Sequence, residues 1–269
     1  MLTTYQLVEF IRRADRGACS PFVGRGIVPG SDAQASLFIK TRAGYRNRPA
    51  AAGVELFTTL LAREFGLLAP EPAVVLIPER FSHLVIEAPE HAALIAQSPG
   101  INFATISLGP DWKTLISSPK QRAFEDHILE DILIFDALVQ HTDREPQNPN
   151  LLWKGQAIAL LDHEGCFAHV ARFMASHYPW RDFLGIRPFT RHCLFSEGNR
   201  LSQKQDFGCS FRERTISLEF SSRHHGFATT AREAFPESAV VLTQIISYLD
   251  AVFRQFADFL DFVKLSLSA

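Results

Sequence analysis

The chain has 269 residues, of which 46% are hydrophobic and 23 are phenylalanine, so it can build a substantial core and is not disordered. Its 27 basic and 29 acidic side chains give a net charge of −2, which offers no overall signal for binding nucleic acid or a membrane surface. The four cysteines lack zinc-site or disulfide spacing, and the sequence shows neither a signal-peptide pattern nor an apolar run of bilayer length, so a reducing cytoplasm is expected.

The first third of the chain predicts mostly strands with one helix. Residues 4–13 fit either a short helix or an edge strand, and residues 36–41 fit a strand that ends near Lys40. Residues 24–34 are rich in turn formers and are expected to form no regular element. A helix is predicted over residues 49–66, opened by a proline and closed by a glycine. Further short strands are predicted at 73–77, 83–87 and 104–108.

The rest of the chain predicts mostly helix with one hairpin. An apolar stripe at helical spacing indicates a helix over residues 120–140, and a long amphipathic helix is predicted at 238–265. Between them, Leu151–Trp153 and Ala157–Leu161 are short apolar runs, and Lys154-Gly155-Gln156 is typical of the turn that joins two strands.

This asymmetry predicts an α+β fold of two lobes with a cleft between them. The N-lobe, residues 1–108, is expected to be small and β-rich with one helix. The C-lobe, residues 109–269, is expected to be larger and mostly helical, with a hinge near residues 107–113.

Three polar side chains surround the predicted hairpin. Asn148 precedes its first strand and Asp162 ends its second, so antiparallel pairing brings both to the open end of the hairpin. Asp143 lies five residues upstream of Asn148. Carboxylate and amide oxygens suit a hard cation such as magnesium together with a phosphate. Turn chemistry beside two prolines could also explain Asp143 and Asn148, but not a carboxylate at the end of a buried strand.

A distant pair supports the same chemistry. Lys40 ends a strand and Glu55 lies beside the apolar face of the next helix, where a carboxylate needs a partner. A strand lysine paired with a helix glutamate can hold nucleotide phosphates. Glu64, near the end of that helix, is the competing partner, although it looks like a solvated charge. Residues 12–48 also hold eight basic and two acidic side chains, which suits a polyphosphate.

Other readings of these polar residues remain open. The segment 24–34, with Gly24, Gly26, Gly30 and Ser31, could cover phosphates through its backbone N–H groups or could be a plain surface loop. It does not match a P-loop.

The histidines of the chain suggest further alternatives. His141 and His163, with Asp143 and Asp162, could instead form a metallohydrolase cluster, although that assignment leaves Lys40 without a role. The adjacent pair His224 and His225 is interpreted as a polar loop, because no third ligand is apparent.

The sequence resembles the HipA-like kinases, and especially the stand-alone bacterial proteins with that kinase domain; phosphatidylinositol-kinase-like enzymes show a related pattern. The likeness spans roughly residues 20–170. It rests on Asp143-Arg144-x-x-x-Asn148, the hairpin and Asp162-His163. Upstream it includes Arg-Pro-Ala-Ala-Ala-Gly-Val-Glu at 48–55, Gly-Leu-Leu-Ala-Pro-Glu-Pro at 66–72 and Gly-Ile-Asn-Phe at 100–103.

The resemblance implies a protein-kinase-like fold that binds ATP and Mg²⁺. It makes Asp143 the residue that orients the acceptor hydroxyl or acts as base, and Asn148 and Asp162 the magnesium ligands. Lys40 would contact the α- and β-phosphates with Glu55 as its partner. Leu108 and Gly109 would contribute to the adenine hinge.

The sequence also departs from the family pattern. His163 stands where most protein kinases have Phe, and the glycine-rich segment is not that of protein kinases. The separate N-terminal subdomain of HipA toxins is not apparent, which leaves a toxin role and an antitoxin partner open. Ser31 is a candidate autophosphorylation site.

The leading hypothesis is an ATP- and magnesium-dependent serine/threonine protein kinase, with a protein as substrate and no direct contact with membrane or nucleic acid. One alternative is a small-molecule kinase of the aminoglycoside or choline kinase type. Another is a nucleotide-binding interaction module without catalytic activity.

Overall fold

The computed structural model describes residues 2–14, 19–45, 48–115, 124–173, 178–186, 188–217 and 220–268. The strands are β1 Thr3–Arg13, β2 Phe22–Ile27, β3 Gln34–Lys40, β4 Pro72–Ile77, β5 Gly100–Ile106, β6 Lys113–Thr114, β7 Leu151–Lys154 and β8 Ala157–Leu160. The α-helices are α1 Ala51–Glu64, α2 Pro89–Ala96, α3 Asp126–Leu138, α4 Val170–Phe173, α5 Pro179–Gly185, α6 Phe195–Leu201, α7 Cys209–Ser217, α8 Phe220–Ala234, α9 Ala239–Arg254 and α10 Phe256–Leu267. Short 3₁₀ turns lie at Ala43–Tyr45, Phe81–Leu84, Pro188–Arg191 and Pro236–Ser238.

The first five strands close into a barrel in the order β1-β2-β3-β5-β4, completed by parallel pairing of β1 with β4. Alternate side chains of each strand point inward, as the two-residue repeat of a strand requires, and form a small apolar core. Residues 4–13 are therefore a strand, but not an edge strand, because β1 has a neighbour on both sides.

Gly24 and Gly26 correct one prediction. The segment 24–34 was expected to hold no regular element, yet both glycines lie inside β2. A Cβ atom on Gly26 would stand 2.6 Å from a Leu37 methyl carbon and 2.8 Å from the Tyr5 Cβ, so these positions are glycine because the barrel interior leaves no room. Only residues 28–33 form the turn to β3.

A second and larger apolar core lies outside the barrel. It joins helix α1 to the helices that follow residue 124, with α1 packed against α8 and the Pro236–Ser238 turn. Mixed helix and strand content is thus confirmed. The helix assigned to the small lobe belongs to the larger core, so the two lobes and their boundary between Leu108 and Gly109 stay predictions.

Several local predictions hold and others fail. The 49–66 helix is α1, which ends before Gly66 at φ +76°, and the hairpin is β7 and β8 joined by a two-residue turn. The predicted strand at 83–87 is wrong, because a 3₁₀ turn occupies Phe81–Leu84, and α2 begins soon afterwards at a proline. The long helix at 238–265 divides at Gln255, whose φ of −132° is not helical.

The remaining helix prediction is confirmed in part. The helix expected at 120–140 is α3, and residues 116–123 lie outside the described part of the chain. No helix among the described residues is both long and apolar enough to cross a bilayer.

A buried ion pair fixes the loop that follows α3. The Arg144 Nε donates to Asp136 Oδ2 at 2.7 Å and Nη2 donates to Oδ1 at 3.1 Å, and both side chains are fully buried. Arg144 also donates to the carbonyl of Asn150 at 2.7 Å, while His192 Nε2 lies 2.9 Å from Asp136 Oδ2. The pair therefore joins α3, the loop at 141–150 and the segment around His192.

Burial alone would raise the pKa of Asp136, but Arg144 and the hydrogen bond from His192 outweigh burial and hold that pKa well below its ordinary value. A carboxyl group with a lower pKa in the folded state contributes stability at pH values above its unfolded pKa of about 3.9. That contribution is lost as the pH falls below this value towards the pKa of the folded state.

Replacing Arg144 with Met should leave the buried Asp136 carboxylate without its cationic partner, with only the hydrogen bond from His192, and lower the free energy of unfolding by about 3–5 kcal/mol at pH 7. Urea unfolding followed by circular dichroism would measure this loss. The double variant Asp136→Asn/Arg144→Met removes both charges and should recover part of it. An Arg144→Met variant as stable as the wild type would show that the ion pair does not hold the loop.

Gly26→Ala should lower the free energy of unfolding by about 1–3 kcal/mol, because the added methyl group overpacks the barrel. Gly226→Ala in α8 is the matched control, since a Cβ atom there meets nothing within 4 Å. The control should be neutral or slightly stabilising. If both variants unfolded at the wild-type urea concentration, steric exclusion would not explain Gly26.

Candidate active site

Lys40, the last residue of β3, lies among three carboxylates. Its Nζ atom is 2.7 Å from Glu55 Oε1, 2.6 Å from Asp162 Oδ1 and 3.2 Å from Glu164 Oε2. Glu55 comes from α1, and the other two follow β8. The three donors of the ammonium group can thus all be satisfied, although Lys40 is only 5% exposed. The structure therefore brings the predicted residues Lys40, Glu55 and Asp162 together.

Glu55 is also held from its other side, where the Tyr45 hydroxyl donates to Oε2 at 2.8 Å. Burial, with Asp162 and Glu164 nearby, raises the pKa of Glu55 to about 7 despite its contact with Lys40. Glu64, the competing partner, instead accepts from Arg223 at the protein surface. The pairing of Lys40 with Glu55 rather than Glu64 is confirmed.

Glu164 is a member of the site that the sequence did not reveal. It accepts hydrogen bonds from Lys40, from Arg48 and, at 2.9 Å, from the thiol of Cys19. Burial and the hydrogen bond to Glu164 raise the pKa of Cys19 to about 12, so this thiol stays protonated. The available signal was its position, two residues after Asp162 in the same loop that follows β8.

His141 connects the loop at 141–150 to Asp162. Its Nδ1 atom accepts from the backbone N–H of Asp143 at 3.3 Å, so Nε2 carries the proton and donates to the carbonyl of Asp162 at 3.1 Å. Burial and the nearby Arg144 lower the pKa of His141 to about 3, which keeps the ring neutral. Asp162 has φ +60°, and this hydrogen bond helps to hold it in the left-handed region.

Asp143 and Asn148 lie side by side on this loop, with Asn148 Nδ2 donating to Asp143 Oδ2 at 3.4 Å. A bridge between Glu145 and Asn148 closes the loop on itself. Burial and the carboxylates of Asp162, Glu145 and Glu164 raise the pKa of Asp143. A carboxylate with a raised pKa, oriented by an amide, is suited to accept a proton.

The metallohydrolase alternative finds no support in this geometry. Both ring nitrogens of His141 are used in the hydrogen bonds described above. His163 Nδ1 donates to the hydroxyl of Thr59 at 3.1 Å, and that hydroxyl donates to the carbonyl of Glu55. Burial keeps the pKa of His163 well below its ordinary value. The two histidines thus bind the backbone of Asp162 and, through Thr59, that of Glu55, and the ligand cluster among the described residues of this site consists of the carboxylates Glu55, Asp162 and Glu164.

The predicted phosphate loop is in the wrong place. Gly30 and Ser31 lie in the β2–β3 turn, at the end of β3 opposite to Lys40. Six residues of strand separate that turn from Lys40, a distance of about 20 Å. Gly24 and Gly26 lie in the barrel wall between these ends. The prediction that Gly30 and Ser31 contact phosphates held by Lys40 is therefore wrong. The proposed autophosphorylation of Ser31 loses its premise with it. A phosphate contact of Gly24 and Gly26 stays a prediction.

The connection between β1 and β2 is the one that reaches the site. Cys19, in that connection, bonds to Glu164 beside Lys40. Residues 15–18 lie outside the described part of the chain. Leu108 and Gly109 follow β5, where the Ser107 N–H donates to the carbonyl of Ser36 at 2.8 Å, and Gly109 has φ +91°. Their contact with an adenine ring stays a prediction.

The donor set suits a divalent cation bound by oxygen ligands. Lys40 and Arg48 supply two positive charges, and Glu55, Asp143, Asp162 and Glu164 supply up to four negative ones. The cluster is therefore anionic and can gain from a bound cation. Carboxylate and amide oxygens are the ligands that Mg²⁺ prefers, so Asp162 and Asn148 fit that ion.

One of three comparisons with known proteins identifies a family for the chain. A family model described as HipA-like kinase matches residues 7–179 of the chain. Among solved structures, the crystal structure of a Helicobacter pylori proinflammatory kinase, CtkA, matches with 10% sequence identity and a TM-score of 0.42. That match covers 92% of this chain and 99% of the other, but a likeness this distant supports no inference about function. No curated protein matches. Because the family match spans more than half of the chain and includes Lys40, Glu55, Asp143 and Asp162, the chain belongs to the HipA-like kinases.

Proposed function

We propose that this kinase uses ATP and Mg²⁺ to phosphorylate serine or threonine residues of a protein. The observation that carries the proposal is the ion-pair cluster of Lys40 with Glu55 and Asp162, which joins three distant parts of the chain. Phosphoryl transfer depends on positioning and on charge stabilisation, and this cluster offers both in one buried place.

Lys40 is the phosphate contact in this proposal. Glu55 holds the ammonium group from the buried side, where the Lys40 and Glu55 side chains are 7% and 4% exposed. Asp162 is 24% exposed and is the partner on the open side. Lys40 can therefore turn towards a nucleotide phosphate while Glu55 still anchors it.

Asn148 and Asp162 would hold Mg²⁺. The ion would neutralise charge on the phosphates during transfer. Asp162 would offer the ion the carboxylate that now accepts from Lys40, and that ammonium donor of Lys40 would then serve the nucleotide. His141 would hold the Asp162 backbone in place, because its hydrogen bond is to the carbonyl and not to the carboxylate.

Asp143 would orient the acceptor hydroxyl and accept its proton. Its raised pKa makes it a better proton acceptor, and the amide of Asn148 fixes the direction of one carboxylate oxygen. Support for a protein acceptor comes from the family alone. A cytoplasmic location fits a kinase that uses ATP, and it remains part of the proposal.

Asp162→Ala should reduce magnesium-dependent phosphoryl transfer by about two orders of magnitude or more, because a metal ligand is lost. Lys40 keeps Glu55 and Glu164, so the variant should still fold. Incubation with labelled ATP, with and without Mg²⁺, would measure the loss.

The matched control is Glu9→Ala, which removes an exposed carboxylate of β1 that pairs with Arg25 at 2.7 Å. It should keep wild-type activity. Full activity in Asp162→Ala, with circular dichroism showing a native fold, would refute the metal assignment.

Asp143→Asn should lower the rate of transfer about 10²- to 10⁴-fold, the usual contribution of a positioned general base. Nucleotide affinity should change little, since Asp143 contacts the acceptor rather than ATP. A thermal-shift titration with ATP and Mg²⁺ measures affinity, and single-turnover transfer measures the rate. A large loss of ATP affinity at an unchanged rate would make Asp143 a binding residue instead.

A further inference from the structure

A second cluster of potential ligands lies away from the active site, between α8 and α9. It comprises His224 and His225 on α8 and Asp250 on α9. The interpretation of the two histidines as a polar loop without a third ligand is wrong, because they lie within a helix and face a carboxylate on the neighbouring helix. Only the packing of α8 on α9 brings the three together.

The ligand atoms already converge. His224 Nε2 lies 2.9 Å from Asp250 Oδ1, and His225 Nε2 lies 3.5 Å from the same oxygen. The three ligand atoms all lie within 4.8 Å of one another. Zinc bonds of about 2.0–2.2 Å at tetrahedral angles place ligand atoms about 3.3–3.6 Å apart. The separation of His225 and Asp250 already fits that spacing, and side-chain adjustments of about 0.5 to 1.5 Å would bring the other ligand atoms to it.

A simple buried hydrogen bond does not account for the whole arrangement. The pair of His224 and Asp250 alone would be an ordinary histidine held by a carboxylate. His225 is different, because its side chain is 51% exposed and could point into solvent, yet its ring lies 4.6 Å from that of His224 and turns Nε2 to the same oxygen.

Among the described residues, the Asp250 carboxylate has no lysine or arginine as a competing partner, and the two imidazoles are its partners there. Its side chain is 33% exposed, which leaves a path for an ion to enter from solvent. Two imidazole nitrogens and one carboxylate oxygen form a donor set that favours zinc and related transition metals over magnesium.

We propose that His224, His225 and Asp250 bind a zinc ion that joins α8 to α9. Each histidine contributes Nε2 and carries its proton on Nδ1, Asp250 contributes one oxygen, and water fills the remaining position. Helices α8 and α9 belong to the larger core that also contains α1, so the ion stabilises the scaffold of the active site without taking part in phosphoryl transfer.

Zinc binding can be tested with full-length protein that carries no polyhistidine tag and has been stripped with EDTA. After addition of ZnCl₂ and dialysis, elemental analysis should find one equivalent of zinc bound. A zinc concentration of a hundred times Kd should raise the melting temperature by about 5 °C or more. Cobalt in place of zinc should show the visible absorption of a tetrahedral site.

His225→Ala is the decisive variant because its side chain is exposed and its loss should not affect folding. Without metal it should melt at the wild-type temperature, but it should bind zinc at least about tenfold more weakly. The matched control is His127→Ala, which removes an equally exposed imidazole that lies 3.1 Å from Glu125. That control should retain wild-type affinity for zinc.

Two outcomes would overturn the proposal. One is the absence of bound zinc in the wild-type protein under these conditions. The other is a His225→Ala variant that binds zinc as tightly as the wild type, which would leave His224 and Asp250 as a structural hydrogen-bonded pair.

Discussion

The ion pairs around the buried ammonium group of Lys40 are the interactions on which the rest of the structure depends. An isolated charge at the end of a barrel strand would be too costly to keep away from water. Glu55 and the carboxylates of Asp162 and Glu164 offset that cost, and they come from α1 and from the segment after β8. The barrel, helix α1 and the hairpin must therefore meet at one point. That point is the candidate active site of this HipA-like kinase.

A second buried ion pair supports the other side of the same site. Arg144 and Asp136 anchor the loop that carries Asp143 and Asn148, and His141 then ties this loop to the carbonyl of Asp162. The Arg144–Asp136 pair and the Lys40–Asp162 pair differ in how far their side chains are exposed to solvent. Arg144 and Asp136 are completely buried, whereas Asp162 retains 24% of its side-chain exposure. The ion pair that holds the loop at 141–150 is thus closed to water. Asp162, the partner of Lys40 on the side of the proposed nucleotide, is accessible and can exchange Lys40 for another partner.

The wrong assignment of Gly24 and Gly26 to a loop shows a physical limit of prediction from sequence. Glycine allows tight turns, and it also allows the close approach of side chains within a barrel. Composition does not distinguish these uses, so Gly24 and Gly26 suggested a loop although they line the barrel wall. Glu164 was missed for a related reason. Its role depends on Arg48 and Cys19, which are far away in sequence and show no spacing that relates them to it.

The sequence by itself determined the hairpin, the α1 helix, and the pairing of Lys40 with Glu55 rather than Glu64. These follow from apolar periodicity, turn residues and the cost of an unpaired buried carboxylate, which are local properties. Only the tertiary structure decided that β1 closes a barrel, that α1 joins the larger core, that Glu164 completes the site, and that Asp250 faces His224 and His225. Each of these depends on contacts between segments distant in the chain, and such contacts are set by how whole elements pack against one another.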